Sequence, residues 1–100
     1  MYKRRIKINE EELKFIHGSD YDFLQNKILH NCNCDNCESE PYTSQIVDYK
    51  ITLNRINDIE LRGFCAKCKS PIVRYVETGE VKKYLPRINK VRKAHTGSHN

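Results

Sequence analysis

Two Cys-x-x-Cys pairs, Cys34/Cys37 and Cys65/Cys68, constrain this 100-residue chain more than any other feature. Two cysteines separated by two residues place both sulfurs on one side of a tight turn. Each such turn supplies half of a tetrahedron, and Zn²⁺ takes four ligands in that geometry with thiolates among its common donors. The stretch Phe64-Cys65-Ala66-Lys67-Cys68-Lys69-Ser70-Pro71 reads as a strand, a turn and a second strand, and Cys34-Asp35-Asn36-Cys37-Glu38-Ser39 is the matching first turn. We read Cys34, Cys37, Cys65 and Cys68 as the ligands of one Zn²⁺ ion.

The fifth cysteine leaves an alternative open. Cys32 makes Cys-x-Cys-x-x-Cys with the first pair and can replace Cys34 as a ligand or stay a free thiol. The Cys34/Cys37 spacing is preferred because it mirrors Cys65/Cys68. His30 is a second alternate ligand, while His17, His95 and His99 show no ligand spacing. An odd cysteine count with close-spaced pairs fits a metal site better than a disulfide framework. A redox Cys-x-x-Cys is disfavoured, because there are two pairs and no βαβ pattern surrounds either.

A lean composition makes such a staple useful. The apolar share is 38%, the charged share 31% and the mean hydropathy −0.77. Small domains bury less of their surface and often need a metal or disulfides. The start, Met1-Tyr2-Lys3-Arg4-Arg5-Ile6-Lys7-Ile8, is basic with no apolar run behind it, unlike a secretory signal. No stretch approaches the roughly 18 apolar residues of a membrane helix. These features point to a cytoplasmic protein with no membrane partner.

Periodicity gives an α+β chain. Residues 2–8 alternate as a short edge strand or basic arm. Asn9 followed by Glu10-Glu11-Glu12 predicts a capped helix that stops at His17-Gly18. A second helix is expected from Ser19 or Asp20 toward His30, with Tyr21, Leu24 and Ile28 on one face. Asn31 to Pro41 reads as loop. Val47, Tyr49, Ile51 and Leu53 alternate with Asp48, Lys50 and Thr52, which predicts a strand with the first set on one face. Further strands are expected at 59–64 and 72–77, with turns at 54–58 and 78–80. Residues 81–93 read as a helix opening after Pro86 or as an extended basic segment, and 94–100 as a disordered end.

The two turns, joined by a hairpin and followed by a third strand, resemble the zinc-ribbon class over residues 32–80. The 27 residues between Cys37 and Cys65 exceed the usual spacing of about 15–20, which a complete hairpin in the interval explains. The resemblance implies a three-stranded antiparallel sheet carrying two cysteine knuckles, here preceded by two short helices. Neither knuckle has the glycine common after the second cysteine of such ribbons; Glu38 and Lys69 stand there. The implied organisation is a basic strand or arm with helices at 1–30, the ribbon at 31–80 and a basic tail at 81–100, in one compact domain. The metal is expected to hold the ribbon together, so that its loss unfolds at least residues 32–80.

The function has to be sought away from the metal. Four thiolates fill the shell of a zinc ion, whereas a catalytic site keeps a position open for water. His-Glu-x-x-His, Gly-x-Ser-x-Gly and phosphate-binding glycine loops are absent, as is the His-x-Glu of zinc deaminases. No enzymatic activity and no small-molecule substrate are expected. The net charge of +5 is unevenly spread: residues 9–45 carry eight acids and two bases, residues 46–100 twelve bases and five acids. Bound Zn²⁺ with four thiolates lowers the net charge to about +3. Basic groups that neutralise phosphates give salt-sensitive binding to DNA or RNA. The expected surface comprises Arg62, Lys67, Lys69 and Arg74 around the second knuckle, with Lys82, Lys83, Arg87, Lys90, Arg92 and Lys93 beyond it. Tyr75 or Tyr84 stacks on a base if exposed. The alternative is a regulatory adaptor that docks on a larger protein assembly, with the acidic stretch 9–45 meeting a basic partner.

Overall fold

The computed structural model describes residues 4–34, 36–37 and 44–96, the last without its side chain. The expected disordered end therefore divides: residues 94–96 are helical, and 97–100 lie outside the described residues.

The chain is α+β, and among the described residues its sheet has four strands rather than three. The strands are β1 (Ile6–Ile8), β2 (Ile46–Leu53), β3 (Ile59–Cys65) and β4 (Pro71–Val76), in the order β1-β2-β3-β4 with every pair antiparallel. The N-terminal basic segment supplies the added strand. Ile6 and Ile8 pair with Leu53 and Ile51, so both contribute apolar side chains to the face where Leu53 and Ile51 are buried.

Among the described residues, three α-helices belong to the same fold: α1 (Glu10–His17), α2 (Tyr21–Asn26) and α3 (Leu85–Thr96). The start of α1 follows from its capping box. The Asn9 side chain accepts from the Glu12 backbone N–H at 2.8 Å, and the Glu12 carboxylate accepts from the Asn9 N–H at 3.0 Å. Gly18 ends the helix at φ 56, a conformation that costs an L-side chain and suits glycine. The second expected helix is broken into short pieces, with 3₁₀ turns at Gly18–Asp20 and Ile28–His30 on either side of α2.

Leu13 and Ile16 of α1, Leu24 of α2, and Ile88 and Val91 of α3 share one core cluster with Ile51, Leu53, Ile59, Leu61 and Ile72 of the sheet. One sheet face is thus covered by helices. The basic segment expected as a tail is part of this core, because Tyr84, Ile88 and Val91 are all buried. Arg92 fastens it further. Its guanidinium donates to Asn57 Oδ1 at 2.8 Å and to the carbonyls of Asn54 and Arg4, tying α3 to the β2–β3 turn and to the residues before β1.

The alternation expected in β2 fails at one point. Val47 pairs with Phe64 and Lys50 with Arg62, so β2 holds one residue more than β3 across this interval. The bulge lies at Asp48, whose φ is 53. Ile46 pairs with Cys65 on the core side, which puts Val47 on the opposite face from Ile51 and Leu53. Gly63 makes the bulge possible: a Cβ there would lie 2.6 Å from the Val47 carbonyl oxygen and 2.9 Å from Tyr49 Cα, both backbone atoms.

Candidate metal centre

The two cysteine turns meet at one end of the sheet. The second follows β3 directly. Cys65 N–H donates to the Ser70 carbonyl at 2.9 Å, and Lys69 N–H donates back to the Cys65 carbonyl at 2.9 Å. Lys69 closes this turn at φ 65, the left-handed conformation that glycine adopts more readily. Ala66 N–H donates to the Gln45 carbonyl, so the turn is also anchored to the chain entering β2.

The first turn is held by its own clasp. Cys32 and Ser44 form an isolated antiparallel bridge, with Cys32 N–H to Ser44 O at 2.8 Å and Ser44 N–H to Cys32 O at 3.0 Å. Both residues are buried. This bridge closes the loop that carries Cys34 and Cys37 and sets it beside the second turn.

The sulfurs of Cys34, Cys37, Cys65 and Cys68 all lie within 4.8 Å of one another. Cys34 Sγ is 3.5 Å from Cys68 Sγ, and Cys37 Sγ is 3.6 Å from Cys65 Sγ. These separations are far longer than a disulfide bond of about 2.05 Å. They match a metal shell: sulfurs about 2.3 Å from a tetrahedral ion are about 3.8 Å apart. The four cysteines therefore form a cluster that can hold a metal ion. Two are buried and two are partly so.

The remaining candidate ligands lie elsewhere. The Cys32 thiol points to the carbonyls of Ile28 and Leu29 at 3.6 and 3.7 Å, inside the core. Burial pushes that thiol above its ordinary pKa. His30 is exposed and outside the cluster. His17 is buried beneath Thr78, and His95 bonds Glu12 at 2.8 Å.

Electrostatics favours ionisation at the second turn. The Cys68 thiol is pulled down to about 5 by the Ser70 hydroxyl and the Ser70 backbone N–H. Cys65 is lowered by the N–H groups of Cys68 and Lys67. Cys37 is pushed up to about 12 by its contacts with Cys68 and Cys65, so it is hard to ionise beside sulfurs that have already lost their protons. A bound cation removes that conflict, since all four thiolates then face positive charge.

The residues expected to form one basic surface do not lie together. Leu61 pairs with Arg74 and Arg62 with Val73, so Arg62 and Arg74 point to opposite faces of the sheet. Lys67 and Lys69 are exposed on the second cysteine turn, and the Lys69 ammonium donates to the Ala66 carbonyl. Lys82, Lys83, Arg87, Lys90, Arg92 and Lys93 belong to α3 and the 3₁₀ turn before it, on the helical side. Several of them are engaged: Lys83 pairs with Asp20 at 2.7 Å, Arg87 donates to the Ile16 carbonyl, and Arg92 holds the β2–β3 turn. Of the two tyrosines considered for stacking, Tyr75 is exposed and Tyr84 is buried.

Sequence reasoning missed Arg5, Lys7, Lys50 and Phe64, which share the uncovered sheet face with Arg62 and Tyr75. Only the register reveals this, although strict alternation through β3 already separates Phe64 from Cys65.

No known protein family, curated protein or solved structure matches the chain. Among the described residues, no helix is long and apolar enough to cross a membrane.

Proposed function

We propose that this chain is a small zinc protein of the zinc-ribbon type, that its metal is structural, and that it binds nucleic acid without catalysing a reaction. The observation that carries the metal assignment is the four-sulfur cluster with separations from 3.5 Å to 4.8 Å. Tetrahedral sulfur sites select zinc or iron–sulfur chemistry, and two knuckles at the end of a β-hairpin favour zinc. Four thiolates complete the shell, so no position is left for a reacting water.

The distribution of unpaired charge supports a polyanionic partner. Internal bonding engages five acids, while Glu11, Asp22, Asp48, Glu77 and Glu80 enter no ion pair among the described residues. Glu10, Glu12, Asp20, Asp58 and Glu60 each accept hydrogen bonds from within the fold. Lys7, Lys50, Lys67, Lys82 and Lys90 are exposed and enter no ion pair among the described residues. The same accounting weakens the adaptor alternative, because Glu10 and Glu12 of α1 and Asp20 of the turn after it are already engaged.

The test is retention of zinc-loaded protein on immobilised nucleic acid over a salt gradient. Binding that weakens steeply with salt is expected, because phosphate neutralisation releases counterions. A protein that retains no nucleic acid at low salt would contradict the reading.

A further inference from the structure

The helices cover one face of the sheet, and among the described residues the opposite face is open. Three cross-strand rows define it. Lys7, Thr52, Glu60 and Tyr75 are neighbours across the four strands. Lys50, Arg62 and Val73 form the next row, and Val47, Phe64 and Pro71 the third. Arg5 reaches the same face, where its guanidinium bonds the Glu60 carboxylate.

This face combines two features that seldom occur together by chance. Large apolar side chains stand in solvent: Tyr75 is 53% exposed, Phe64 43% and Val73 39%. Cations stand between and beside them. Arg62 lies on β3 between Glu60 and Phe64, with Lys50 on one side and Val73 on the other. The rows and Arg5 carry four cations and a single carboxylate, Glu60.

Glu60 organises the cations rather than cancelling them. Its side chain is only 5% exposed, and it bonds both Arg5 and Arg62 while their own side chains stay half exposed. Burial raises its pKa, but hydrogen bonds from Asn54, Arg5 and Arg62 outweigh that and keep it ionised below the usual range. Both guanidinium groups are thus fixed against the sheet with edges left for another anion.

We propose that this open sheet face is a single-stranded nucleic-acid site, with Phe64 and Tyr75 as stacking platforms and Arg5, Lys7, Lys50 and Arg62 as phosphate partners. The proposal rests on the nucleic-acid reading above and names the surface for it. Stacking requires bases whose faces are free, which a duplex hides and a single strand offers. Four residues along the strands and one strand across separate the two rings by about 14 Å, so they take bases that are not adjacent. The cations between them meet the intervening backbone. An acidic peptide would satisfy the cations but would leave both rings without planar partners.

The test is fluorescence anisotropy with the full zinc-loaded chain and fluorescent 12-nucleotide single strands of one mixed sequence, as DNA and as RNA, with the matching DNA duplex as a third probe. Single strands should bind more tightly than the duplex, and comparison of the DNA and RNA arms assigns the sugar preference. Phe64→Ala and Tyr75→Ala should each weaken single-strand binding by about 5- to 150-fold. Lys50→Gln should flatten the salt dependence. Lys82→Glu with Lys90→Glu, on the helical side, should have a much smaller effect than either ring variant. Amide spectra confirm that the ring variants remain folded, as expected for exposed side chains. Tighter duplex binding, or single-strand binding untouched by both ring variants and lost on the helical-side substitutions, would overturn this site while leaving nucleic-acid binding in place. Absence of binding to all three probes at low salt would overturn both.

Discussion

Truncating Cys32 separates the two readings of the five-cysteine pattern. Cys32 is fully buried, and its thiol points to the carbonyls of Ile28 and Leu29 at 3.6 and 3.7 Å. Cys32→Ala removes a group the size of a methyl. Lost transfer energy is about 0.8 kcal/mol, and a methyl-sized void adds about as much again. The expected destabilisation is about 1.5 kcal/mol, or a melting midpoint lower by about 6–12 °C for a chain of this length. Its clasp to Ser44 is made by backbone groups and survives the substitution. Cys34→Ala is equally small in packing terms, yet it removes one of the four clustered sulfurs. A structural zinc site is worth about 10–16 kcal/mol, so one ligand in four corresponds to about 3–4 kcal/mol, a loss of two to three orders of magnitude in metal affinity. The assay is zinc content after dialysis against a competing chelator, with thermal denaturation alongside. Cys32→Ala should keep its zinc and melt lower, whereas Cys34→Ala should lose it. The opposite pattern would refute the assignment of Cys34 as ligand.

Other consequences follow from the same geometry. Chelation should perturb the amide signals of residues 31–45 and 65–70 most, because the core shared by the sheet and the helices is mostly aliphatic, with Cys34 and Cys65 as the cluster cysteines buried in it; equal loss of signal throughout the chain would show that the metal supports the whole fold. Lys69→Gly should raise the stability of the zinc-loaded protein by up to about 1 kcal/mol, since it relieves an L-residue held at φ 65. Denaturant titration checks this, and a clear loss of stability would contradict it. His17 gives a pH dependence of known sign. Burial lowers its pKa below 6.5, outweighing the opposing effects of the Leu13 carbonyl and Asp20. The unfolded state then takes up the proton first, so this contribution is complete above about pH 6.5 and is lost as pH falls below it. In the zinc-loaded chain, His17→Gln should flatten stability between neutral and mildly acidic pH, measured by denaturant titration; an unchanged slope would remove His17 as its source.

What the sequence revealed depended on the range of the interaction. The capping box of Asn9 and Glu12 and the turns at both cysteine pairs are local patterns, so they are legible in a few consecutive residues. The sulfur cluster was legible because the Cys-x-x-Cys spacing itself encodes half a coordination shell. The exclusion of Cys32 from the cluster was not, because it depends on a bridge to Ser44, twelve residues further along the chain. β1 needs a partner 47 residues away, as in the pairing of Ile6 with Leu53, so the sequence leaves residues 2–8 open between an edge strand and a basic arm. The outward turn of Val47 was hidden by a bulge whose signals are only Asp48 and the glycine facing it. In α3 the spacing of Ile88 and Val91 pointed to a helix, but the surrounding cations disguised the fact that this face packs into the core.

Native mass spectrometry of the gently purified chain decides whether the four clustered cysteines hold one zinc ion. One zinc per chain is expected, lost when Cys65 is replaced by serine and retained when Cys32 is replaced by alanine. A metal-free chain with all five thiols reduced and a native amide spectrum would contradict the claim, as would a chain whose mass shows the cluster sulfurs joined in disulfides.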